Sequence, residues 1–353
     1  MSKKMLAALV YGVNDLRVEE YDMPVCPPNS ILVKVKACSI CGTDVRIYRK
    51  GDYRAQYPVI IGHEIAGEIV EVSKEVKGYE VGERVCVAPG HGCGECRMCR
   101  KGYPNVCTNP HPSLGYKLNG GFAEYIAVPE HILRLGFVNE IPPGLEYNKA
   151  ALSEITACCL NAQENIKVEK GDTVLIMGSG PAGLIHAVLS KYFGAGRIFV
   201  TQRSPGRLER AKSLFPGIID RVIASSQENL QSEILKETNG EGADIVIVCA
   251  PSREAQEQAT ALVAPRGRIN FFGGLPKDDC IDKIDANILH YKEYFLQGAS
   301  SSRPENNREA LRLLQNRIVD PDKFITKTFP LAEIHKGFEL IDTRECLKVV
   351  VNP

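Results

Sequence analysis

The chain has 353 residues, 44% hydrophobic and 24% charged, with 43 Lys plus Arg against 43 Asp plus Glu. This is the composition of an ordinary soluble globular protein of about two domains. Balanced charge argues against nucleic acid or an anionic membrane as partner, and no segment approaches the roughly 18 apolar residues that span a bilayer.

The run over residues 1–10 pairs lysines with apolar residues, but it stops at Tyr11-Gly12 without a small-residue cleavage site. It reads as a first strand rather than a targeting signal. Short β-branched runs follow over residues 31–37, 65–72 and 84–88, punctuated by Gly78, Gly82, Pro89-Gly90 and Gly120-Gly121. They predict a β-rich first domain. Between them lie Cys38-Ser39-Ile40-Cys41-Gly42-Thr43-Asp44 and Gly62-His63-Glu64. Then Cys93, Cys96, Cys99 and Cys107 fall within fifteen residues. Four thiolates so spaced can close a tetrahedron around Zn²⁺, and a site with no open position is structural. His91 and His111 flank this loop but are not needed as ligands. The thirteen cysteines, several in apolar runs such as Cys158, Cys159 and Cys249, fit free thiols in a reducing cytoplasm.

After Leu145 the pattern changes to alternating helices and strands. Helix is expected over 149–162, with Glu154 on it, strand over 173–177, helix over 182–193 and strand over 197–201. Further strands are expected over 243–249 and 267–272, helix over 307–315 and a last strand over 347–351. Such alternation implies a parallel sheet covered on both faces. Gly178-Ser179-Gly180-Pro181-Ala182-Gly183 joins a strand to a helix, the context in which GxGxxG holds a dinucleotide pyrophosphate. The next strand runs into Gln202-Arg203-Ser204 without the carboxylate that binds the ribose 2′-OH of NAD. Gln202 would not repel a 2′-phosphate, and Arg203 and Ser204 could bind one, so NADP(H) is favoured over NAD(H). Arg207 lies on the following helix with Arg210, where a solvated face is the plainer reading.

A catalytic zinc takes about three N, S or O ligands and keeps one position open. Cys41, His63, Glu64 and Glu154 are of the right types. In their order and separations, Cys41-Gly42-Thr43-Asp44, Gly62-His63-Glu64, the four-cysteine loop and the Gly178–Gly183 turn resemble the zinc-containing medium-chain dehydrogenases. The resemblance covers essentially the whole chain and is nearest the polyol (sorbitol dehydrogenase-like) and threonine dehydrogenase branches. It implies an α/β protein: a GroES-like β-rich catalytic domain over 1–151 and 290–353 with both metals, and a Rossmann doubly wound parallel-sheet domain over 152–289. The active site would lie in the cleft.

The same resemblance makes Cys41 and His63 zinc ligands, Glu64 a direct or exchangeable ligand, and Glu154 a ligand directly or through water. Asp44 would orient His63, and Thr43 would hydrogen-bond the substrate hydroxyl and pass its proton outward. The cofactor set is Gly178, Gly180, Pro181, Ala182, Gly183, Gln202, Arg203, Ser204, Arg207 and Cys249. Tyr116, Phe122 and the 300–303 loop with Arg303 would line the substrate pocket, where hydroxyls and an arginine suit a polyol. Where the family often has a relay histidine, this chain has Arg46, which cannot act as a base. Arg46 and Tyr48 could instead face an anionic substrate group, or Arg46 could face solvent or cofactor. The expectation is a cytoplasmic zinc enzyme, two Zn²⁺ per chain, transferring hydride between a polyol or secondary alcohol and NAD(P)⁺. It would form a homo-oligomer, tetramer or dimer, through the segment following residues 269–274. Mn²⁺ or Co²⁺ at the oxygen-rich centre, an amino-alcohol (threonine-type) substrate, and a non-catalytic binding protein remain as alternatives.

Overall fold

Residues 3–353 are described by a computed structural model. The chain divides into two compact units, Met1–Ala157 with Ser302–Pro353, and Cys158–Ser301.

The first unit is built on alternation. In the strand Ile31–Ser39, Lys34 and Lys36 stay half-exposed while Val33, Val35 and Ala37 are buried, the period-two pattern of a sheet with one packed face. The main sheet runs, in spatial order, Ile325–Pro330, Lys348–Asn352, Ile31–Ser39, Glu64–Val72, Arg84–Val87 and Val138–Glu140, with Tyr125–Val128 also paired to Ile31–Ser39. A second sheet orders Asp15–Asp22, Lys4–Gly12 and Val59–Ile60. Both close on one core that includes Ile31, Ile47, Ile60, Ile65, Phe122 and Phe338. The carboxy-terminal strand pairs antiparallel with Ile31–Ser39, Val350 opposite Ser39, so the end of the chain returns beside residues 38–41.

The second unit is a six-stranded, all-parallel sheet ordered Arg221–Ala224, Arg197–Gln202, Thr173–Met177, Ala243–Val248, Val263–Phe271 and Phe295–Gly298. Its central strands are near-continuous apolar runs, as burial on both faces requires. Strand order reverses between Thr173–Met177 and Ala243–Val248, the switch point at which ligands bind in open α/β sheets. The GroES-like and Rossmann expectations are thus met.

Two elements differ from the sequence reading. The helix expected over 149–162 is a short turn, Tyr147–Ala150, then a new helix, Ser153–Ile166. Neither Gly nor Pro marks the break; Ala151 and Leu152 are buried at it, so packing overrides propensity. Phe295–Gly298 is an edge strand with exposed residues, and its sequence carries no alternation to announce it. All thirteen cysteines are free thiols. No helix among the described residues is long and apolar enough to cross a membrane.

Candidate active site and metal centres

The sulfur atoms of Cys93, Cys96, Cys99 and Cys107 lie within 4.8 Å of one another. Measured pairs are 3.6 Å for Cys107–Cys93, 3.7 Å for Cys96–Cys107 and 4.0 Å for Cys93–Cys99. A tetrahedron with Zn–S of ~2.3 Å has edges of about 3.8 Å, so the four thiols fit that ion. Backbone N–H groups also point at the sulfurs. Those of Glu95 and Cys96 donate to Cys93 Sγ at 3.4 and 3.2 Å, and that of Cys99 donates to Cys96 Sγ at 3.5 Å. The N–H groups of Cys99 and Thr108 pull the Cys96 thiol down to about 5, while burial pushes Cys107 up to about 12. His91 is engaged elsewhere, with Nε2 3.1 Å from the Asn105 carbonyl, and His111 stacks on His131.

A second constellation forms where the helix Gly42–Lys50 begins. Cys41 is its N-cap, and Asp44, fully buried in the first turn, accepts the Cys41 N–H at 2.8 Å. The other Asp44 oxygen accepts the Gly62 N–H at 3.2 Å and lies 3.2 Å from His63 Nδ1. One carboxylate therefore joins both ligand-bearing segments and leaves His63 Nε2 for a metal. Gly62 has φ +94°, and a Cβ there would lie 2.9 Å from Cys38 Sγ, so only glycine brings His63 this close. Cys41, His63 and Glu64 offer ligand atoms within 4.8 Å of one another, a mixed S, N and O set that suits zinc. Burial alone would push the His63 imidazole down, but Asp44, Tyr116 and Cys41 together hold it well above its ordinary value. A metal would have to displace that proton.

The sequence reading did not include Lys348. Its ammonium, 2% exposed, donates to Glu64 Oε1 at 2.6 Å and to the Ile40 carbonyl at 3.2 Å. Ser39 Oγ also donates to Glu64. Glu64 is thus held by a buried cation and a hydroxyl, within reach of the metal ligands but not free to turn toward them without cost. A lone lysine in the otherwise apolar run over 347–351 was the available signal. Glu154 is buried at the start of Ser153–Ile166, outside the 4.8 Å group, and its charge acts on Tyr116 and Lys348. Thr43 is half-buried, two residues beyond Cys41.

The residues expected at the substrate divide. The Tyr116 ring lies 5.6 Å from that of His63, and the Arg54 guanidinium lies 5.1 Å over Tyr116. Arg46 bonds Asp52. Tyr48, 8% exposed, is instead core, edge-on to Phe338 at 5.1 Å with Arg49 over its ring. Phe122 is fully buried against Phe338 and beneath Gly62, so it supports the centre rather than facing a substrate. Both are aromatics on apolar-patterned segments, which the core claims first. Arg303 lies 5.4 Å over the ring of Tyr103, against the four-cysteine lobe.

In the second unit, a Cβ on Gly183 would sit 1.9 Å from the Gly178 carbonyl oxygen, so the helix Pro181–Tyr192 docks on its strand only through glycine. Gly180 caps that helix without a side-chain bond, Pro181 and Ala182 form its first turn, and the buried Ser179 hydroxyl has no partner. These features fit a pyrophosphate. Arg207, read from sequence as surface, brings Nη2 to 3.9 Å from a Cβ built on Gly180. Cys249 packs against Gly178, and burial pushes its thiol up. Gln202 Oε1 accepts the Arg203 N–H at 2.8 Å, Ser204 is exposed, and Arg203 pairs with Glu254 at 2.6 Å.

Comparison with known proteins agrees with this geometry. Residues 27–136 match the alcohol dehydrogenase GroES-like domain, and residues 181–316 match the zinc-binding dehydrogenase domain. A sorbitol dehydrogenase of Bacillus subtilis is 33% identical, covering 99% of this chain and 98% of its own. An L-threonine 3-dehydrogenase of Pyrococcus horikoshii is 34% identical, covering 99% of each. The structure of a zinc-binding dehydrogenase from Sinorhizobium meliloti, bound to NADP, superposes with TM-score 0.91 at 28% identity over 100% of both chains. With both domains in order along the chain and relatives matched over nearly their full length, this chain belongs to the zinc-binding, GroES-like alcohol dehydrogenase family.

Proposed function

We propose that the chain oxidises the CH–OH group of a polyol or secondary alcohol and passes hydride to NADP⁺ in preference to NAD⁺. The observation that carries this reading is the Cys41–His63–Glu64 group, with His63 and Glu64 buried and Cys41 half-buried, fastened by Asp44 and bordered by the half-exposed Tyr116 and Arg54. Cys41 and His63 would hold the catalytic zinc, with Glu64 and Glu154 as exchangeable or water-mediated partners. The four-cysteine lobe would hold a second, structural zinc. The bound zinc supplies positive charge that favours the alkoxide, and the nicotinamide supplies the hydride acceptor.

The chain's own residues do the rest. Asp44, 3.2 Å from His63 Nδ1, would fix the His63 tautomer. Thr43 accepts the substrate hydroxyl as a hydrogen-bond partner and hands its proton outward; Arg46 cannot take it. The absence of a carboxylate at the end of Arg197–Gln202, together with Arg203, Ser204 and Arg207, supports NADP⁺, whose 2′-phosphate would compete with Glu254 for Arg203. The exposed edge strand Phe295–Gly298 supports a homo-oligomer, dimer or tetramer, and free thiols support a reducing, cytoplasmic setting.

The test is initial-rate oxidation of a panel of alditols, simple secondary alcohols and threonine, with NADP⁺ and NAD⁺ side by side. The expected result is highest kcat/KM for an alditol with NADP⁺, by about tenfold over NAD⁺. Highest activity on threonine would assign the amino-alcohol reading instead.

A further inference from the structure

Next to the metal group, Arg46 on the helix Gly42–Lys50 and Asp52 and Arg54 on the turn that follows form a cradle of three charges. The Asp52 side chain is 4% exposed. It accepts Arg46 Nε at 2.9 Å and a two-pronged contact from Arg54, Nε at 2.9 Å and Nη2 at 2.7 Å. Burial opposes its ionisation, but the Arg54 guanidinium outweighs this and holds the carboxyl far below its ordinary range. One carboxylate thus supports two guanidiniums, and the cluster carries one net positive charge. Arg46 spends only Nε on Asp52, and Arg54 leaves Nη1 unspent. Their side chains are 38% and 42% exposed, so these remaining donors are within reach of a ligand.

The cradle is fixed in place. The Gln56 N–H donates to the Tyr116 carbonyl at 3.0 Å, and Tyr57 Oη–H donates to the Ile47 carbonyl at 2.8 Å. The loop bearing Arg54 is therefore tied both to the helix bearing Arg46 and to the loop bearing Tyr116. Steps of 5.1 Å and 5.6 Å lead from the Arg54 guanidinium to Tyr116 and from Tyr116 to His63. His63 and Arg54 bring positive charge to Tyr116, and Cys41 and Glu154 bring negative charge.

The geometry points to an oxyanion subsite in which Arg46 and Arg54, supported by Asp52, take the terminal phosphate or carboxylate of a substrate whose carbinol end lies at Cys41 and His63. Planar guanidinium forks recognise such groups bidentately, which a lysine cannot do. The inference rests on the dehydrogenase reading above and narrows its substrate to a charged polyol derivative.

Two measurements separate the subsite from that reading. The first compares kcat/KM for a neutral alditol, its terminal phosphomonoester and the matching aldonate, in wild type, Arg46→Gln and Arg54→Gln, with cofactor KM recorded for each. Wild type should prefer one anionic substrate by about tenfold or more, and each variant should reduce that preference by about tenfold through substrate KM. The better anionic arm identifies phosphate or carboxylate. Equal use of charged and neutral substrates by wild type, or a loss that falls on cofactor KM, overturns the subsite. The second is calorimetric titration of the metal-loaded protein with inorganic phosphate. If no alditol is oxidised, the dehydrogenase reading fails, and this titration decides the subsite. Phosphate bound by wild type and lost in Arg54→Gln supports it, and no binding by wild type overturns it.

Discussion

Lys348 and Glu64 carry the sharpest energetic statement in the molecule. Both are essentially excluded from water, and each is the other's charge partner. Removing one member of such a pair strands the other in a medium that solvates it poorly, at about 3–5 kcal/mol. Lys348→Met should therefore lose about that much stability in denaturant unfolding at neutral pH, and Lys348→Met with Glu64→Gln should recover most of it. A loss below about 1 kcal/mol for the single variant would show that Glu64 has another partner. The sign with pH follows from the shift. Burial lowers the Lys348 value, but Glu64 and Cys41 more than reverse this and leave it above 10.5. A raised value contributes stability that is complete below 10.5 and fades only as pH climbs through the folded value, so the Lys348 contribution does not change near neutrality. Lys348 shows in the sequence only as a lone lysine in an apolar run; its pairing with Glu64 was not legible, because the two are separated by 284 residues and meet only through the return of the last strand.

At the scale of elements, the four-cysteine lobe was the most legible part of the chain, since its ligands are close in sequence and its spacing alone constrains the geometry. The thiols are not equivalent, however. Backbone N–H groups lower Cys93 and bring Cys96 down to about 5, whereas burial raises Cys99 and Cys107 and keeps their protons on at neutral pH. Zinc uptake by the lobe should then release at least about two protons near pH 7, and affinity should rise with pH. Stopped-flow uptake in weak buffer with an indicator dye measures this, and no proton release would contradict the assignment of these thiols. The glycine turn was equally legible, because strand–turn–helix order is local. The pocket wall was not. Phe122 and Tyr48 sit on segments that pattern alone assigns equally well to core or site, and the core took both. Arg54 and Asp52 carry no motif; their place beside Tyr116 comes from loop-to-loop hydrogen bonds.

At the scale of the whole molecule, the period change from two to βα alternation announced two units, and the antiparallel pairing of the first and the parallel sheet of the second formed as that pattern requires. The first unit brings together Cys41, His63, Glu64 and Lys348, drawn from both ends of the chain. The second holds the dinucleotide turn at the switch point of its sheet. On the proposed reading, the Cys41–His63 centre holds the metal on which hydride transfer depends, while the cysteine lobe holds a separate one. The most direct test counts zinc per chain and measures NADP⁺-dependent alditol oxidation in wild type and His63→Ala. Wild type should hold two zinc ions and be active; the variant should hold one zinc ion, keep its fold and lose at least about 10³-fold in kcat/KM. Retained activity in His63→Ala, or a wild type that holds one zinc ion and turns over, would contradict it.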